Sequence, residues 1–278
     1  MNVRLEAVPT MPSVGRHSVF RRVVVGVDGS PEGREAVCQA ARLCEPDGEV
    51  TLVAAWNFPS PLIGTTGTRV PYYFDEEIQQ RHAEQALREA RGDVTVLASG
   101  PGHIGRGFPW DVLIEESERS NATLLAVGSH GAGRVRGILV GSTATAVVHK
   151  SPCSVLVARP APEPFPKRIV VGVDGSPQSA TAYAAARYLG ERFNAELWPV
   201  VAHGGKGVDQ RAIPNIVDYR HEDSPDDPVT ALVAAAAGAD LVVVGSRGLH
   251  GLKALGSVSE RVAHQSRCSV LVVREPAQ

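Results

Sequence analysis

The residues of this chain best suited to chemistry are small residues that would bind an anion through their backbone. Gly128–Gly131, with the sequence GSHG, follows an apolar run, and nine residues later Gly141–Thr143, with the sequence GST, precedes a predicted helix. Glycine lets a backbone approach a ligand closely, and a Ser or Thr helix cap followed by unpaired N–H groups attracts negative charge. The spacing therefore predicts a loop that holds phosphate groups, with charge added by Arg134 and Arg136.

A second candidate follows the first apolar run of the chain. Val23–Val27 leads directly into Asp28–Ser30, with the sequence DGS. Aspartate before glycine is common in turns that bind nothing. However, this turn and the GSHG loop both follow strands predicted to be parallel, so their residues are expected to meet at one edge of the sheet. That context favours a ligand-binding role for Asp28.

The chain contains these patterns twice. The two copies of each repeated segment occur in the same order and share most of their residues, and they are 21–31 with 167–177, 124–131 with 241–248, and 149–159 with 264–274. Repetition of an opening strand, a glycine loop and a closing strand indicates two copies of one domain. We predict a flexible leader over 1–20, one domain over 21–159, a proline-rich linker over 160–166 and a second domain over 167–275.

The second copy differs from the first in the length of two segments. It lacks 29 residues between its first and fourth strands, and only seven residues separate Gly248 from Gly256 and Ser257, where the first copy has nine. A shorter loop has less reach around a polyphosphate. We therefore expect the first copy to bind its ligand more tightly than the second.

Composition excludes several classes of protein. Lys and Arg number 28 against 30 Asp and Glu, so the basic surface expected of a nucleic-acid-binding protein is missing. The four cysteines form no CxxC pair and have no histidines at zinc spacing, which argues against a metal site and fits the reducing cytosol. No apolar run reaches the ~18–20 residues that would span a bilayer. We expect a soluble, cytoplasmic protein without a membrane or nucleic-acid partner.

The elements that must position the candidate residues alternate strand and helix. Val23–Val27 and Ile169–Val173 are apolar on both faces, which is typical of parallel strands covered by helices. Ser30-Pro31 and Ser176-Pro177 each combine a helix cap with proline at the first helical position. With no hairpin signals, the pattern predicts an α/β fold of two doubly wound, Rossmann-like domains, each a five-stranded parallel sheet flanked by helices.

Two features of each sheet are also predicted. The third strands are expected at 94–98 and at 213–219. The last strands, 154–158 and 269–273, are apolar and would leave open edges, so we expect the two copies to pair through them within one chain. Association of two chains into a homodimer stays open as a further assembly.

With these motifs, the chain resembles the universal stress protein family in its tandem arrangement of two domains. The opening VVVGVDGS and the pattern Gly-2x-Gly-9x-Gly-Ser carry the resemblance, which covers 21–159 and 167–274. It implies that ATP, with or without Mg²⁺, is bound between the first and fourth strands of a domain. The second copy departs from the family pattern in its shortened loop.

The resemblance implies a role for the candidate residues. Asp28 would meet the adenosine, Ala55 would offer its backbone to the adenine edge, and Gly128 would lie by the ribose, while the phosphates would be held by the glycine loop. The candidate binding residues of the first copy are Gly26, Val27, Asp28, Gly29, Ser30, Ala55, Val127, Gly128, His130, Gly131, Gly141, Ser142 and Thr143. Those of the second copy are Asp174, Ala202, Gly245, Gly248, Gly256 and Ser257.

The resemblance further implies a regulatory module that changes its shape or its partners with nucleotide occupancy during stress. The chain has no Walker lysine and no evident catalytic base, so we expect no enzymatic function beyond slow ATP hydrolysis. Two alternatives stay open. One is an adenylating or phosphotransfer enzyme of the same nucleotide fold, and the other is an interaction protein whose sites stay empty.

Overall fold

The chain alternates strands and helices through both repeats. The computed structural model describes residues 20–56, 76–93, 102–131, 140–202, 222–224, 227–246 and 257–274. The first repeat contains β1 (Arg22–Val27), α1 (Pro31–Leu43), β2 (Glu49–Trp56), α2 (Glu76–Asp93), β3 (His103–Arg106), α3 (Pro109–Arg119), β4 (Leu124–Gly128), α4 (Ser142–Lys150) and β5 (Ser154–Ala158). The second contains β6 (Arg168–Val173), α5 (Pro177–Phe193), β7 (Glu196–Ala202), β8 (Glu222–Ser224), α6 (Pro228–Ala236), β9 (Leu241–Gly245), α7 (Ser257–Gln265) and β10 (Ser269–Val273).

All ten of these strands belong to one sheet. Its strand order is β3-β2-β1-β4-β5-β10-β9-β6-β7-β8. The five strands of the second repeat therefore have the same arrangement as those of the first, in the opposite direction across the sheet. Neighbouring strands are parallel within each repeat, whereas β5 and β10 are antiparallel, with Leu156 opposite Leu271. The predicted five-stranded parallel sheet of each domain is confirmed, and so is the pairing of the two repeats through their last strands.

Helices cover both faces of the sheet. Side chains of α1, α2 and α5 pack on one face, and those of α3, α4, α6 and α7 pack on the other. In β5, Leu156 packs into the first of these layers while Val155 and Val157 pack into the second. Burial on both faces is the reason for the uninterrupted apolar strands. Within the described residues, no helix has the length and apolarity that crossing a bilayer requires.

The described edge strand of each repeat was not predicted from the sequence. β3 is His103–Arg106 and pairs with the end of β2, and β8 is Glu222–Ser224 and pairs with the end of β7. The strands predicted at 94–98 and 213–219 lie outside the described residues. An edge strand pairs on one side only, and in β3 only Gly105 is buried. Such a strand has no apolar run by which the sequence would reveal it.

Two arginines connect each repeat to the last helix of the other. Arg159 follows β5, is only 5% exposed, and donates from Nη2 to the Ala263 carbonyl of α7 at 2.6 Å and from Nη1 to the Cys268 carbonyl at 3.0 Å. Arg274 has the same place after β10 and donates from Nη2 to the Val148 carbonyl of α4 at 2.7 Å. The bonds to Ala263 and Val148 satisfy carbonyl groups of the last helical turns, which lack partners within their helices. Burial lowers the pKa of Arg159 to about 10.

The serines before α1 and α5 cap their helices, as predicted. Ser30 Oγ accepts a hydrogen bond from the Gly33 N–H at 3.0 Å, and Ser176 Oγ accepts one from the Ser179 N–H at 3.2 Å. A proline follows each serine at the start of the helix. The same local sequence therefore starts the first helix of both repeats.

We expect Ser30→Ala to lower the free energy of unfolding by about 1 kcal/mol, because the buried N–H of Gly33 would lose its acceptor. Ser30→Thr keeps a hydroxyl at the same place and serves as the control, with a smaller loss. Urea denaturation followed by circular dichroism measures both values. Equal losses in the two variants would argue against the capping role.

Candidate functional site

A cavity of about 300 Å³ opens at the carboxyl ends of the strands in the first repeat. It lies between β1 and β4, where the strand order reverses, because β1 has β2 on one side and β4 on the other. Ligands of open α/β sheets bind at this kind of position. Its walls come from β1, β2 and β4 and from the first turns of α1, α3 and α4.

Most of the candidate residues of the first repeat line this cavity. They are Gly26, Val27, Asp28, Ala55, Val127, Gly128, His130, Gly131, Gly141, Ser142 and Thr143. Gly29 and Ser30 do not line it and act behind its wall, since Gly29 makes the turn at φ 77° and Ser30 caps α1. Arg134 and Arg136 lie outside the described residues. The structure thus brings together residues from the beginning and the end of the repeat.

The sequence prediction missed the apolar wall of the cavity and several small residues. The lining residues that it did not include are Gly33, Val53, Pro109, Leu113, Ser129 and Ala144. Val53 and Ala55 share a face of β2 because strand side chains alternate, and Pro109 and Leu113 share a face of α3 because they are four residues apart. These two spacings would have indicated the wall once β2 and α3 had been placed beside the site.

Asp28 reaches from the end of β1 toward the glycine loop. Its Oδ1 accepts hydrogen bonds from the Ser30 N–H at 3.0 Å and from Ser30 Oγ at 2.5 Å. Its Oδ2 lies beside Gly131, where an added Cβ would come within 2.5 Å of it. One carboxylate oxygen is therefore held by the turn, and the other lies at the cavity, where it suits hydroxyl donors of a ligand.

Strand β4 touches the first turn of α1 backbone to backbone at Gly128. A Cβ on Gly128 would lie 2.6 Å from the carbonyl carbon of Glu32 and 2.9 Å from the nitrogen of Gly33. In the second repeat, a Cβ on Gly245 would lie 2.4 Å from the carbonyl oxygen of Gln178. Both positions need glycine because there is no room for a side chain, and this close approach places the loop after β4 beside α1.

Helix α4 begins at the cavity. Gly141 is its N-cap residue, with φ −74° and ψ 165° and no side-chain cap, so the predicted serine cap is wrong and Ser142 is the first helical residue. Glycine is itself an accepted N-cap, and the sequence GST fits either position. The first N–H groups of a helix have no partner within it and, with the helix dipole, attract anions. Among the described residues, the anion site predicted here therefore rests mainly on the backbone N–H groups at the start of α4.

Ala55 directs its carbonyl group to the cavity at the end of β2. The Trp56 carbonyl accepts a hydrogen bond from the Gly107 N–H at 2.9 Å, on the β3 side. Successive strand residues direct their backbone groups to opposite sides, so the Ala55 carbonyl points to the β1 side. Since β1 ends at Val27, opposite Ala54, this acceptor lies just beyond the strand, at the cavity.

The titratable side chains among the described lining residues are Asp28 and His130. His130 Nδ1 lies 3.1 Å from Ser129 Oγ. The described lining contains no lysine or arginine. Attraction for a phosphate group at this part of the cavity therefore comes mainly from backbone N–H groups.

The second repeat places equivalent residues at the ends of its strands. Asp174 Oδ1 accepts hydrogen bonds from the Ser176 N–H at 3.0 Å and from Ser176 Oγ at 2.5 Å, as in the first repeat. Other candidate residues that end a strand or begin a helix here are Ala202, Gly245 and Ser257. Gly248 and Gly256 lie outside the described residues, so the geometry of the second glycine loop stays a prediction.

Comparison with known proteins identifies one family. The model of the universal stress protein family matches residues 20–159 and 206–274. Universal stress protein Rv2005c of Mycobacterium tuberculosis is 31% identical over 91% of this chain and 97% of its own length, and Rv2623 of the same species is 29% identical over 91% and 96%. A solved universal stress protein from Archaeoglobus fulgidus, 21% identical, superposes with a TM-score of 0.70 over 92% of this chain and 99% of that one.

Proposed function

This chain belongs to the universal stress protein family, in its tandem two-domain form, and from that premise we propose that its first repeat binds ATP. One observation carries the proposal. Candidate residues from the beginning and the end of the repeat line a single cavity at the point where the strand order reverses. Across this cavity the chemistry changes from an apolar wall to the N-terminus of a helix, as an adenosine polyphosphate requires.

One end of the cavity suits an adenine base. Val53, Leu113 and Val127 are buried, apolar and part of the wall. The Ala55 carbonyl lies at the same end and is a hydrogen-bond acceptor. Adenine has flat apolar faces and carries an amino group on its edge. We infer that the three side chains pack against the base and that the Ala55 carbonyl accepts a hydrogen bond from the amino group.

The other end suits a polyphosphate. A Cβ on Gly141 would lie 3.9 Å from the nitrogen of Gly131, so the two ends of the glycine loop lie against each other beside the start of α4. Asp28 lies next to Gly131, where it would accept hydrogen bonds from ribose hydroxyls. Because the described lining has no cationic side chain, Mg²⁺ bound with the nucleotide would neutralise part of the phosphate charge.

The sequence argues against rapid turnover, because it contains no Walker lysine. Fast phosphoryl transfer depends on cationic groups that stabilise the charge of the transition state. The described lining offers Asp28, which the turn holds at one oxygen, and His130. We infer that hydrolysis is at most slow and that ATP occupancy itself is the signal that this stress protein passes to its partners.

A calorimetric titration of the full chain with ATP tests the proposal. We expect one tight site per chain, because the glycine loop of the second repeat is shorter. We expect Gly131→Ala to weaken binding at least tenfold, or about 1.4 kcal/mol. The added methyl group would come within 2.5 Å of Asp28 Oδ2 and push the carboxylate into the cavity.

Gly92→Ala is the matched control for this titration. Gly92 lies near the end of α2, is exposed, and a Cβ added there would have nothing within 4 Å, so the variant should bind ATP as the wild type does. Failure of the wild type to bind ATP, or an unchanged affinity in Gly131→Ala, would contradict the proposal. Two sites of equal affinity would contradict the assignment of tight binding to the first repeat.

A further inference from the structure

Helices α4 and α7 meet across the junction of the repeats through two related contacts. His149 Nε2 lies 2.9 Å from Glu260 Oε1, and His264 Nε2 lies 3.3 Å from Thr145 Oγ1. The repeats are offset by 115 residues here, so His264 is the counterpart of His149 and Glu260 is the counterpart of Thr145. Equivalent positions of the two helices thus contact each other twice. His149 contacts the carboxylate of Glu260, and His264 contacts the hydroxyl of Thr145.

The contact between His264 and Thr145 continues to the wall of the cavity. Thr145 Oγ1 donates a hydrogen bond to the Gly141 carbonyl at 3.0 Å. A hydroxyl has one hydrogen, so toward His264 the same oxygen accepts, and the ring donates from Nε2. Burial lowers the pKa of His264, and with the Thr145 hydroxyl donating to Gly141 the tautomer assigned to His264 carries its hydrogen on Nε2. The bonds therefore run in one direction, from His264 through Thr145 to Gly141.

Gly141 is the point at which these bonds reach the proposed ATP site. It lines the cavity and is the N-cap of α4. Its N–H donates to the Ser129 carbonyl at 2.7 Å, and its carbonyl accepts from both the N–H and the hydroxyl of Thr145, each at 3.0 Å. The peptide groups on both sides of Gly141 are thus held by neighbours, and the direction of the first N–H groups of α4 depends on them.

We propose that His264 of the second repeat is a positioning residue for the phosphate end of the ATP site in the first repeat, acting through Thr145 on Gly141. This inference rests on the proposed function. His264 does not line the cavity, so its effect passes through the Thr145 hydroxyl. In the equivalent contact, Glu260 has no hydroxyl to donate, so the bond from His149 ends at a carboxylate. The coupling therefore runs from the second repeat to the first.

Titration of full-length His264→Ala with ATP and with adenosine tests the proposal. We expect the affinity for ATP to fall about three- to tenfold, the size of one net hydrogen bond, while the affinity for adenosine stays unchanged. Adenosine lacks the phosphates that would reach Gly141, so the ratio of the two affinities reports the phosphate end alone. We expect His264→Gln, whose amide N–H can donate to Thr145, to restore most of the ATP affinity, and Thr145→Val to behave like His264→Ala.

The matched control is His149→Ala, which removes the related contact with Glu260 from the same pair of helices. It should leave both affinities at wild-type values. If His264→Ala only loosened the packing of α4 against α7, it would lower the affinities for ATP and adenosine together. Alternatively, His264→Ala and His149→Ala would lower the affinity for ATP equally. Either result overturns the proposal. An unchanged ATP affinity in His264→Ala overturns it while the proposed function stands. No binding of ATP to the wild type overturns both.

Discussion

Replacing Gly128 with alanine is expected to lower the free energy of unfolding by about 2–3 kcal/mol and the affinity for ATP more than tenfold. The new Cβ would lie 2.6 Å from the carbonyl carbon of Glu32, which is main chain and cannot rotate away. Relief requires β4 and the first turn of α1 to move apart. Gly128 and Gly33 both line the cavity, so the movement changes the shape of the proposed site as well as the core.

Chemical denaturation and ATP calorimetry on the same preparation measure the two effects of Gly128→Ala. Gly245→Ala is the comparison for stability, because its Cβ would meet the Gln178 carbonyl oxygen at 2.4 Å in the second repeat. We expect a similar loss of stability in Gly245→Ala. A Gly128→Ala protein as stable as the wild type would show that the two backbones are not in the contact described here.

Replacing Arg159 with alanine is expected to lower the free energy of unfolding by about 3 kcal/mol. The guanidinium donates to the carbonyls of Ala263 and Cys268 inside the junction of the repeats. Its removal leaves these carbonyls without their donors and opens a cavity beside α7. The backbone N–H of the same residue still donates to Ser269 Oγ, so the pairing of β5 with β10 is kept. The change in the free energy of unfolding therefore reports the side chain alone.

Urea denaturation of Arg159→Ala, Arg159→Met and Arg274→Ala separates the causes of this loss. The methionine side chain fills much of the space without donating, so Arg159→Met should recover the packing part only. Arg274→Ala should cost less than Arg159→Ala. Among the described residues, the Arg274 guanidinium donates only from Nη2, at 2.7 Å to the Val148 carbonyl and at 3.5 Å to the His149 carbonyl, and its buried Nε has no hydrogen-bond partner. Equal stability of Arg159→Ala and the wild type would show that this arginine does not stabilise the junction of the repeats.

Much of the fold follows from local patterns in the sequence. The uninterrupted apolar runs at Val23–Val27 and Ile169–Val173 became parallel strands because helices cover both of their faces. The Ser-Pro pairs before α1 and α5 became helix starts because capping needs only residues within one turn. The apolar last strands paired with each other because an open apolar edge is unfavourable in water.

The errors fall where local patterns are weak. β3 is a short edge strand whose one buried residue is Gly105, so no apolar run in the sequence marks it, while the strand predicted at 94–98 lies outside the described residues. The sequence GST at the start of α4 fits a cap at glycine or at serine, and the backbone angles of Gly141 decide for glycine. The apolar wall of the cavity was missed because Val53 and Leu113 resemble ordinary core residues until the strands are placed around the site.

The sequence by itself determined the duplication, the order of strands and helices, and the glycines and aspartates that end the strands, because all of these are carried by residues close together in the chain. Only the tertiary structure decided which distant side chains meet. Thr145 and His264 are 119 residues apart, and Arg159 and Ala263 are 104 apart. These contacts depend on the antiparallel register of β5 with β10 and on the resulting packing of α4 against α7, and no local spacing encodes them.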